Sequence, residues 1–516
     1  MCGILAVCDP SLSDEEKQKI LENARYLSRR GPDNLTSVST DTGLYVFTRL
    51  SINDISSDGN QPMRSGNILM MCNGEIYNHL ELKEKYNLQC SSRSDCEVVL
   101  RLYEKFGFAE TVKKLYGVFA IVLVDGDRTY IARDRIGVRP LYIGWTSAKQ
   151  LAVASVPNCL VGFCQIVSPL LPGHTAMYTE ESGLVYLYKD QISLATTRLT
   201  DGTEALRTAL TEAVRLRLMS DRPMGCLLSG GLDSSLVAAL LVKFLGGKNV
   251  RTYSIGMEGS TDLYYARKVA RYLQTDHHEV LFTPEEGFAV IPEVIQTLAS
   301  YDITTVRASV GMYLISKYIA THTHDKVIFS GEGSDEVLEG YLYFHNAPTP
   351  TDGEEESVRL IRNLHLYDVL RADRCISTNG LEPRVPFLDR RFVDVALSLS
   401  ADQKKPQKGF EKYILRTAFE GYLPHDVLWR RKEGFSDGVS SVKKAWYHHI
   451  QEFVDRIIPD YLFNPVFPSK EAMYYKLIFD HYFPTYSLKI DYWMPKWSAT
   501  NDPSGRLISA YDEQDE

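Results

Sequence analysis

The chain has 516 residues, 44% hydrophobic and 24% charged, with a formal net charge of -9. At about 100–200 residues per domain, this length requires two or three domains, and an acidic balance with no dense Lys/Arg run excludes an electrostatic footprint for nucleic acid or for an anionic membrane. The sequence shows no basic leader with an apolar stretch and no run of about 18 apolar residues, and its nine scattered cysteines lack C-x-x-C spacing, which argues against disulfides and a structural zinc site; a cytoplasmic protein with small polar partners is expected.

The N-terminal "MCGILAVC" places a cysteine behind the initiator methionine. A small residue at position 2 permits methionine removal, which would give Cys2 a free α-amine beside its thiol; the alternative is an ordinary cysteine. Up to about residue 190, short β-type runs dominate: "ILAV", "GLYVFTRLSI", "NILMMC", "VFAIVLVD", "RTYIAR", "LYIGW", "LAVAS", "HTAMY" and "GLVYLY". Two helical patterns interrupt them, "DEEKQKILENARYLSRR" after a Ser-Asp cap and "SDCEVVLRLYEKFG" with a closing glycine. Runs of strands with few helices predict an α+β domain of sheets covered by helices. Within it, "CNGEIYNH" reads as a strand followed by an Asn-Gly hairpin turn. Its functional alternative is an oxyanion hole formed by the Asn73 amide and the Gly74 N–H. The polar stretch "SLATTRLTDGTEAL" marks a boundary, so domains are expected at 2–190 and 207–505, with a linker at 191–206 and an acidic tail at 506–516.

Beyond that boundary the rhythm becomes strand, loop and long helix. "MGCLLSGGLDSSLVAALLVKFLG" reads as a buried strand at 224–228, a Gly-rich turn and a helix capped by Ser or Asp and closed by glycine. Further strands "VRTYSIG", "HHEVLF" and "KVIFSG" alternate with helices, which predicts a parallel sheet with ligands beyond its carboxyl ends. A helical, aromatic-rich region follows from about 355. In "SGGLDSS", Ser229, Gly230, Gly231, Ser234 and Ser235 offer backbone and hydroxyl donors to a phosphate at a helix start. No Gly-Lys-Ser/Thr follows, which argues against kinase-type phosphoryl transfer. Asp233 would repel phosphate unless a cation such as Mg²⁺ bridges them. A second loop, "FSGEGSDE", puts Asp335 in reach of the same cation and Ser330 and Gly331 in reach of a nucleotide. The paired histidines have no ligand-spaced companions.

"SGGLDSS" resembles the pyrophosphate loop of ATP pyrophosphatases. With "YDITTVRASVGMYLISKYI", "FSGEGSDE", "LRADR", "LEPRVPFLD" and "RRKEGFSDG", the second half resembles glutamine-hydrolysing asparagine synthetases. "MCGI", "RRGPD", "RLSI", "CNGEIYNH", "SDCEVV" and "RDRIGVRPLY" resemble class II glutamine amidotransferases. The resemblance implies a four-layer α-β-β-α N-terminal-nucleophile sandwich followed by an α/β ATP pyrophosphatase domain. It implies Cys2 as nucleophile, with Asn73 and Gly74 at the oxyanion, Arg49 on the glutamine α-carboxylate, Asp95 on its α-ammonium, and Leu50, Ser51, Ile52, Asn53 and Glu75 lining the pocket. Leu228, Leu232, Ile255, Ser330 and Gly331 would hold ATP together with the loop at 229–235, and Asp233 and Asp335 would hold Mg²⁺. Lys432 would face the phosphates, Glu332 would handle protons at a β-aspartyl adenylate, and Thr304, Thr305 and Arg307 would grip aspartate. An internal ammonia passage and a homodimer are further implications.

Three features depart from the family pattern. Arg29 stands where its relatives commonly have histidine, Ser155 is followed by Val156 and Pro157 where glutamate is common, and the linker is short. Competing readings are another ATP-dependent ligase on the same scaffold, such as a β-lactam synthetase, and a nucleotide-sensing protein without catalysis. The first is expected to lack Cys2 or "TTVRA"; the second would bind ATP without turnover.

Overall fold

Alternation of side chains along short apolar strands builds the N-terminal half. The computed structural model describes residues 1–441, 443–484 and 489–507. Its first twelve strands are β1 (Gly3–Val7), β2 (Asn34–Thr40), β3 (Gly43–Arg49), β4 (Met63–Ser65), β5 (Ile68–Ile76), β6 (Gly117–Asp125), β7 (Arg128–Arg133), β8 (Tyr142–Thr146), β9 (Leu151–Ala154), β10 (Cys164–Pro169), β11 (His174–Thr179) and β12 (Gly183–Lys189). They form two antiparallel six-stranded sheets, ordered β10-β8-β9-β1-β3-β2 and β12-β11-β7-β6-β5-β4.

The period of two decides the layers. Ile4 and Ala6 of β1 and Tyr45 and Phe47 of β3 meet Leu69, Met71, Ala120 and Val122 of the other sheet in one core. Their strand neighbours Leu5, Val7, Leu44 and Val46 face the opposite way, onto Ile20, Ala24 and Leu27. Those belong to α1 (Asp14–Asn23), α2 (Arg25–Ser28) and the residue joining them. On the outer face of the second sheet, Met70, Cys72, Phe119 and Ile121 pack against α3 (His79–Tyr86), α4 (Glu97–Phe106) and α5 (Phe108–Lys114) through residues such as Leu82, Val99, Leu102 and Val112. The result is helix, sheet, sheet, helix. Each large apolar side chain buried this way contributes about 1.5–3 kcal/mol.

The expected first helix is present but divided at Ala24. It starts with a full capping box, in which Ser13 Oγ accepts from Glu16 N and Ser13 N donates to Glu16 Oε2. Strand β2 and helices α3 and α5 had no clear periodicity in the sequence. The Asn-Gly hairpin expectation is corrected: Asn73 and Gly74 lie inside β5, opposite Ala120 and Phe119 of β6. Glycine is required there by close approach, since a Cβ on Gly74 would come within 2.2 Å of Val118 O and 2.7 Å of Phe119 Cα.

After β12 the polar stretch leads to α6 (Thr203–Leu216), and a second sheet system begins. It consists of β13 (Met224–Leu227), β14 (Arg251–Gly256), β15 (Asp276–Leu281), β16 (Val327–Phe329) and β17 (Glu382–Arg384), all parallel, in the order β15-β14-β13-β16-β17. Crossover helices include α7 (Leu232–Leu245), α8 (Thr261–Leu273), α9 (Pro284–Leu298) and α10 (Ile303–His322). The chain reverses direction in space between β13, which continues to β14 on one side, and β16 on the other. Such a switch point opens a crevice at the strand ends. The N-cap of α7 is Gly231, with no side-chain cap, instead of the expected Ser or Asp. Gly246, at φ 82°, ends that helix. Among the described residues no helix is long and apolar enough to cross a membrane. Of the expected acidic tail, Arg506 and Leu507 belong to a 3-10 turn, Gly505–Leu507, and the remainder lies outside the described residues.

The two halves share apolar packing: Leu5 and Val7 fall in one continuous core with Ile255, Ile295 and Val310. Replacing Gly74 by alanine forces a methyl group into the β6 backbone. A loss of about 1–3 kcal/mol in unfolding free energy is expected by urea titration; an unchanged midpoint would contradict the close-approach reading.

Candidate active sites

Cys2 directly precedes β1 and meets Asn73 of β5 and Arg30, which reaches across to the second half. The Cys2 backbone N–H donates to Asn73 Oδ1 at 3.1 Å, and Cys2 Sγ lies 3.8 Å from Leu50 O. Asn73 Nδ2 is buried and has no hydrogen-bond partner among the described residues, so a donor is already aimed where an oxyanion near Cys2 would form. Met1 is buried, its ammonium 3.4 Å from Leu381 O, and burial pushes that amine down to about 6. Burial pushes the Cys2 thiol up to about 11, so at neutral pH the sulfur keeps its proton unless a base takes it.

The other expected pocket residues come together around Asn53. Its Nδ2 donates to Glu75 Oε2 at 2.5 Å and to Asp95 Oδ1 at 3.2 Å, while Ile76 N donates to Asp95 Oδ2 at 2.6 Å. Burial raises both carboxyls above their ordinary range. Arg49 donates to Ser56 O at 2.6 Å, Asn60 Oδ1 at 2.9 Å and the carbonyls of Asn53 and Asp54. These partners are all neutral, which leaves its charge for a ligand anion. Leu50 and Ile52 are buried, and Ser51 N is fixed by Asp33 Oδ2 at 2.8 Å.

In the second half, the crevice beyond β13 and β16 is lined by Leu228, Ser229, Gly231, Leu232, Asp233, Ser234, Ile255, Thr304, Ser330, Gly331, Glu332, Asp335 and Lys432. Two loop residues lie off its wall. Gly230 holds a positive φ of 74°, and a Cβ there would come within 2.4 Å of Ala266 N; Ser235 is fully buried. Ser229 and Ser234 hydroxyls are 3.0 Å apart and brace the turn.

Charge dominates this crevice. Lys412 Nζ, absent from the sequence reading, donates to both Asp233 oxygens at 2.8 and 2.7 Å and to Asp335 Oδ1 at 2.7 Å. Lys432 Nζ reaches Asp335 Oδ2 at 2.5 Å. Despite burial, these two ammonium groups hold Asp335 well below the usual carboxylate range. Ordinary lysine spacing in "EKYILR" gave no signal for Lys412, which the fold alone brings back across the sheet. Two converging carboxylates and no third His, Cys, Asp or Glu among the described residues suit a hard cation that takes its other ligands from phosphate and water. In this structure the Lys412 ammonium bridges the two carboxylates. Glu332 Oε2 is 2.5 Å from Arg371 Nη2, which also pairs with Asp368 at 2.6 Å; burial pushes the Glu332 carboxyl up to about 7 although Arg371 opposes it.

The three residues expected to grip aspartate lie in different surroundings. Thr304 lines the crevice, but Thr305 is buried beneath it with its hydroxyl committed to Asp302 Oδ2 at 2.6 Å as part of the α10 cap. Arg307 is turned away and saturated by Glu471 at 2.8 and 2.5 Å and by Asp502 at 2.8 Å on two nitrogens. The sequence could not reveal this, because both partners lie more than 160 residues downstream.

The departures also find places. Arg29 pairs with Glu293 at 2.7 Å across the two halves. Ser155 Oγ accepts from Ile4 N at 3.0 Å and Ser155 O accepts from Arg374 at 3.0 Å, so the residue that precedes Val156 ties β1 to the second half.

A family model described as Glutamine amidotransferase domain matches residues 1–198, and one described as Asparagine synthase matches residues 205–356 and 349–501. The glutamine-hydrolyzing asparagine synthetases of Gallus gallus, Rattus norvegicus and Homo sapiens are each 43% identical to the chain, covering 99% of it and 99% of their own length. With an amidotransferase half, a nucleotide crevice at a parallel-sheet switch point and full-length similarity, this chain belongs to the glutamine-hydrolysing asparagine synthetase family.

Proposed function

We propose that the chain makes L-asparagine from L-aspartate, ATP and L-glutamine through a β-aspartyl adenylate, releasing AMP, pyrophosphate and L-glutamate. The observation that carries this reading is a buried Asn73 whose Oδ1 accepts from Cys2 N while its Nδ2 has no partner among the described residues, in the same chain as a strand-end loop whose carboxylates are clamped by lysines.

Removal of Met1 turns the Cys2 nitrogen into an amine next to its own thiol. That amine takes the thiol proton as sulfur attacks the glutamine side-chain amide and passes it to the departing ammonia, leaving a γ-glutamyl thioester; water, deprotonated by the same amine, then cleaves the thioester to glutamate and the thiol is reprotonated. Asn73 Nδ2 and the Gly74 N–H receive the oxyanion, each donor contributing about 3–4 kcal/mol at such sites. Arg49 pairs with the α-carboxylate and Asp95 with the α-ammonium; a ligand lacking either group would leave a buried charge unpaired. Leu50, Ser51, Ile52, Asn53 and Glu75 close the pocket.

In the crevice, the loop at 229–235 cradles pyrophosphate, while Leu228, Leu232, Ile255, Ser330 and Gly331 hold the nucleoside. Asp233 and Asp335 hold Mg²⁺, which when bound neutralises charge on the phosphates. Lys432 offsets the charge that grows on leaving pyrophosphate. Lys412 keeps the two aspartates together until phosphate and cation arrive. With Arg307 committed elsewhere, Thr304 and Arg371 are the crevice groups offered to the aspartate substrate. Glu332 takes the proton released when ammonia attacks the adenylate. Ammonia passes internally between the sites, and the free thiols fit a cytoplasmic setting.

Cys2→Ala is expected to abolish asparagine formation from glutamine while leaving formation from ammonium near the wild-type rate; retained glutamine use would overturn the nucleophile assignment. The proton role of Glu332 has a pH signature. Above about 7 the carboxylate is ionised and can accept the proton; below it the rate falls, after correction for the fraction of free ammonia. Glu332→Gln should lower the rate and remove that inflection, and a variant with the same pH profile would exclude Glu332 as the base.

A further inference from the structure

The Lys432 loop is held from an unexpected direction. Residues 430–434 line the crevice, and so do Pro503, Gly505 and Arg506, which come from the far C-terminal part of the chain. Arg506 donates through Nη2 to Glu433 Oε1 at 2.5 Å and to Asp437 O at 3.0 Å, and through Nη1 to Ser441 O at 2.9 Å. Both ends of the Arg506 and Glu433 pair are 8% exposed. Ser504 Oγ donates to Asp437 Oδ1 at 2.8 Å and Gly505 N to Asp437 Oδ2 at 3.1 Å. Two residues earlier, Asp502 is clamped by Arg307 from the middle of the synthetase half and by Gln451 Nε2 at 3.3 Å. Glu433 completes the circuit by accepting from Thr261 Oγ1 at 2.6 Å and Arg430 at 3.0 Å.

We infer that residues 502–506 form a strap that fixes the Lys432 loop in its working position, with Arg506 and Arg307 as positioning residues for the synthetase half. This rests on the reading of Lys432 as a phosphate-facing group. Residues 430–434 have no regular secondary structure of their own. A Lys side chain on such a segment would sample many positions, and each ångström of misplacement at a reacting centre costs rate. The strap removes that freedom with charge-assisted hydrogen bonds to the residue next to Lys432 and to the turn Phe435–Gly438. It also accounts for Arg307 and Glu471: their buried pair is the fixed post to which Asp502 is tied.

The test compares wild type, a chain ended after Leu507, a chain ended after Asn501, Arg506→Ala and Arg506→Lys. Three readouts apply: ammonium-driven asparagine synthesis, glutamine hydrolysis, and trypsin cleavage at 430–432. The chain ended after Asn501 and Arg506→Ala are expected to lose about tenfold or more in kcat for synthesis, with glutamine hydrolysis within about twofold of wild type and faster cleavage at the loop. Arg506→Lys, which keeps the charge, should recover part of the loss, and the chain ended after Leu507 should behave as wild type. If the longer truncation fails to fold, the two point variants decide. Unchanged or increased kcat without residues 502–506 would overturn the proposal, as would loss of both activities in parallel. Cleavage unchanged in Arg506→Ala would overturn it independently of activity. Absence of synthesis in wild type with loop protection intact would count against the function and not the strap.

Discussion

The structure depends on a buried charged seam between its halves. Arg30, from the N-terminal half, donates through Nε to Cys2 O at 3.1 Å and through Nη1 to Asp373 at 2.7 Å and Ser377 at 2.7 Å, with both partners of the ion pair 3% exposed. A single guanidinium thus holds the Cys2 backbone against the second half. Arg384 of β17 does the converse, reaching Glu75 beside Asn53 at 3.2 Å while its carbonyl accepts from Ser330 N at 2.9 Å in the strand-end crevice. Charges this deep are costly to leave unpaired, by about 3–5 kcal/mol when one partner is removed. The halves are therefore held together across the seam, and the surroundings of Cys2 include Glu75, whose charged partner comes from the second half.

Much of this was legible in the sequence wherever a local pattern carries the physics. The period-two runs located most of the strands, and the strand, Gly-rich loop and helix of "SGGLDSS" located the crevice. Where packing across the chain decides, the sequence was misleading or silent. Asn73-Gly74 has turn chemistry, yet the backbone of β6 lies so close that only glycine can stay in the strand. Strand β2, "NLTSVST", shows little apolar alternation because much of it is exposed, and pairing along β3 makes it a strand. Arg307 looked like a carboxylate grip and is one, but the carboxylates are Glu471 and Asp502 of the same chain.

Electrostatics explain why the synthetase crevice can exist without its substrates. Asp233 and Asp335 would repel each other at the end of a parallel sheet; Lys412, 1% exposed on its side chain, neutralises them from below, and Lys432 from the side. Glu332 is treated differently, since Arg371 must divide itself between Glu332 and Asp368. Asp335 is thereby held below the usual carboxylate range while burial leaves Glu332 raised to about 7, a separation that follows the number of cations facing each.

The central claim is that two sites in one rigid chain share a nitrogen atom. The most direct measurement is the isotope content of asparagine formed from glutamine labelled with nitrogen-15 in its side-chain amide, in the presence of excess unlabelled ammonium. The account predicts asparagine enriched in the glutamine label well above the composition of bulk ammonium, because ammonia delivered internally competes with the ammonium taken directly from solution. Label diluted to the composition of bulk ammonium would show that nitrogen leaves the protein between the two steps and would contradict the account.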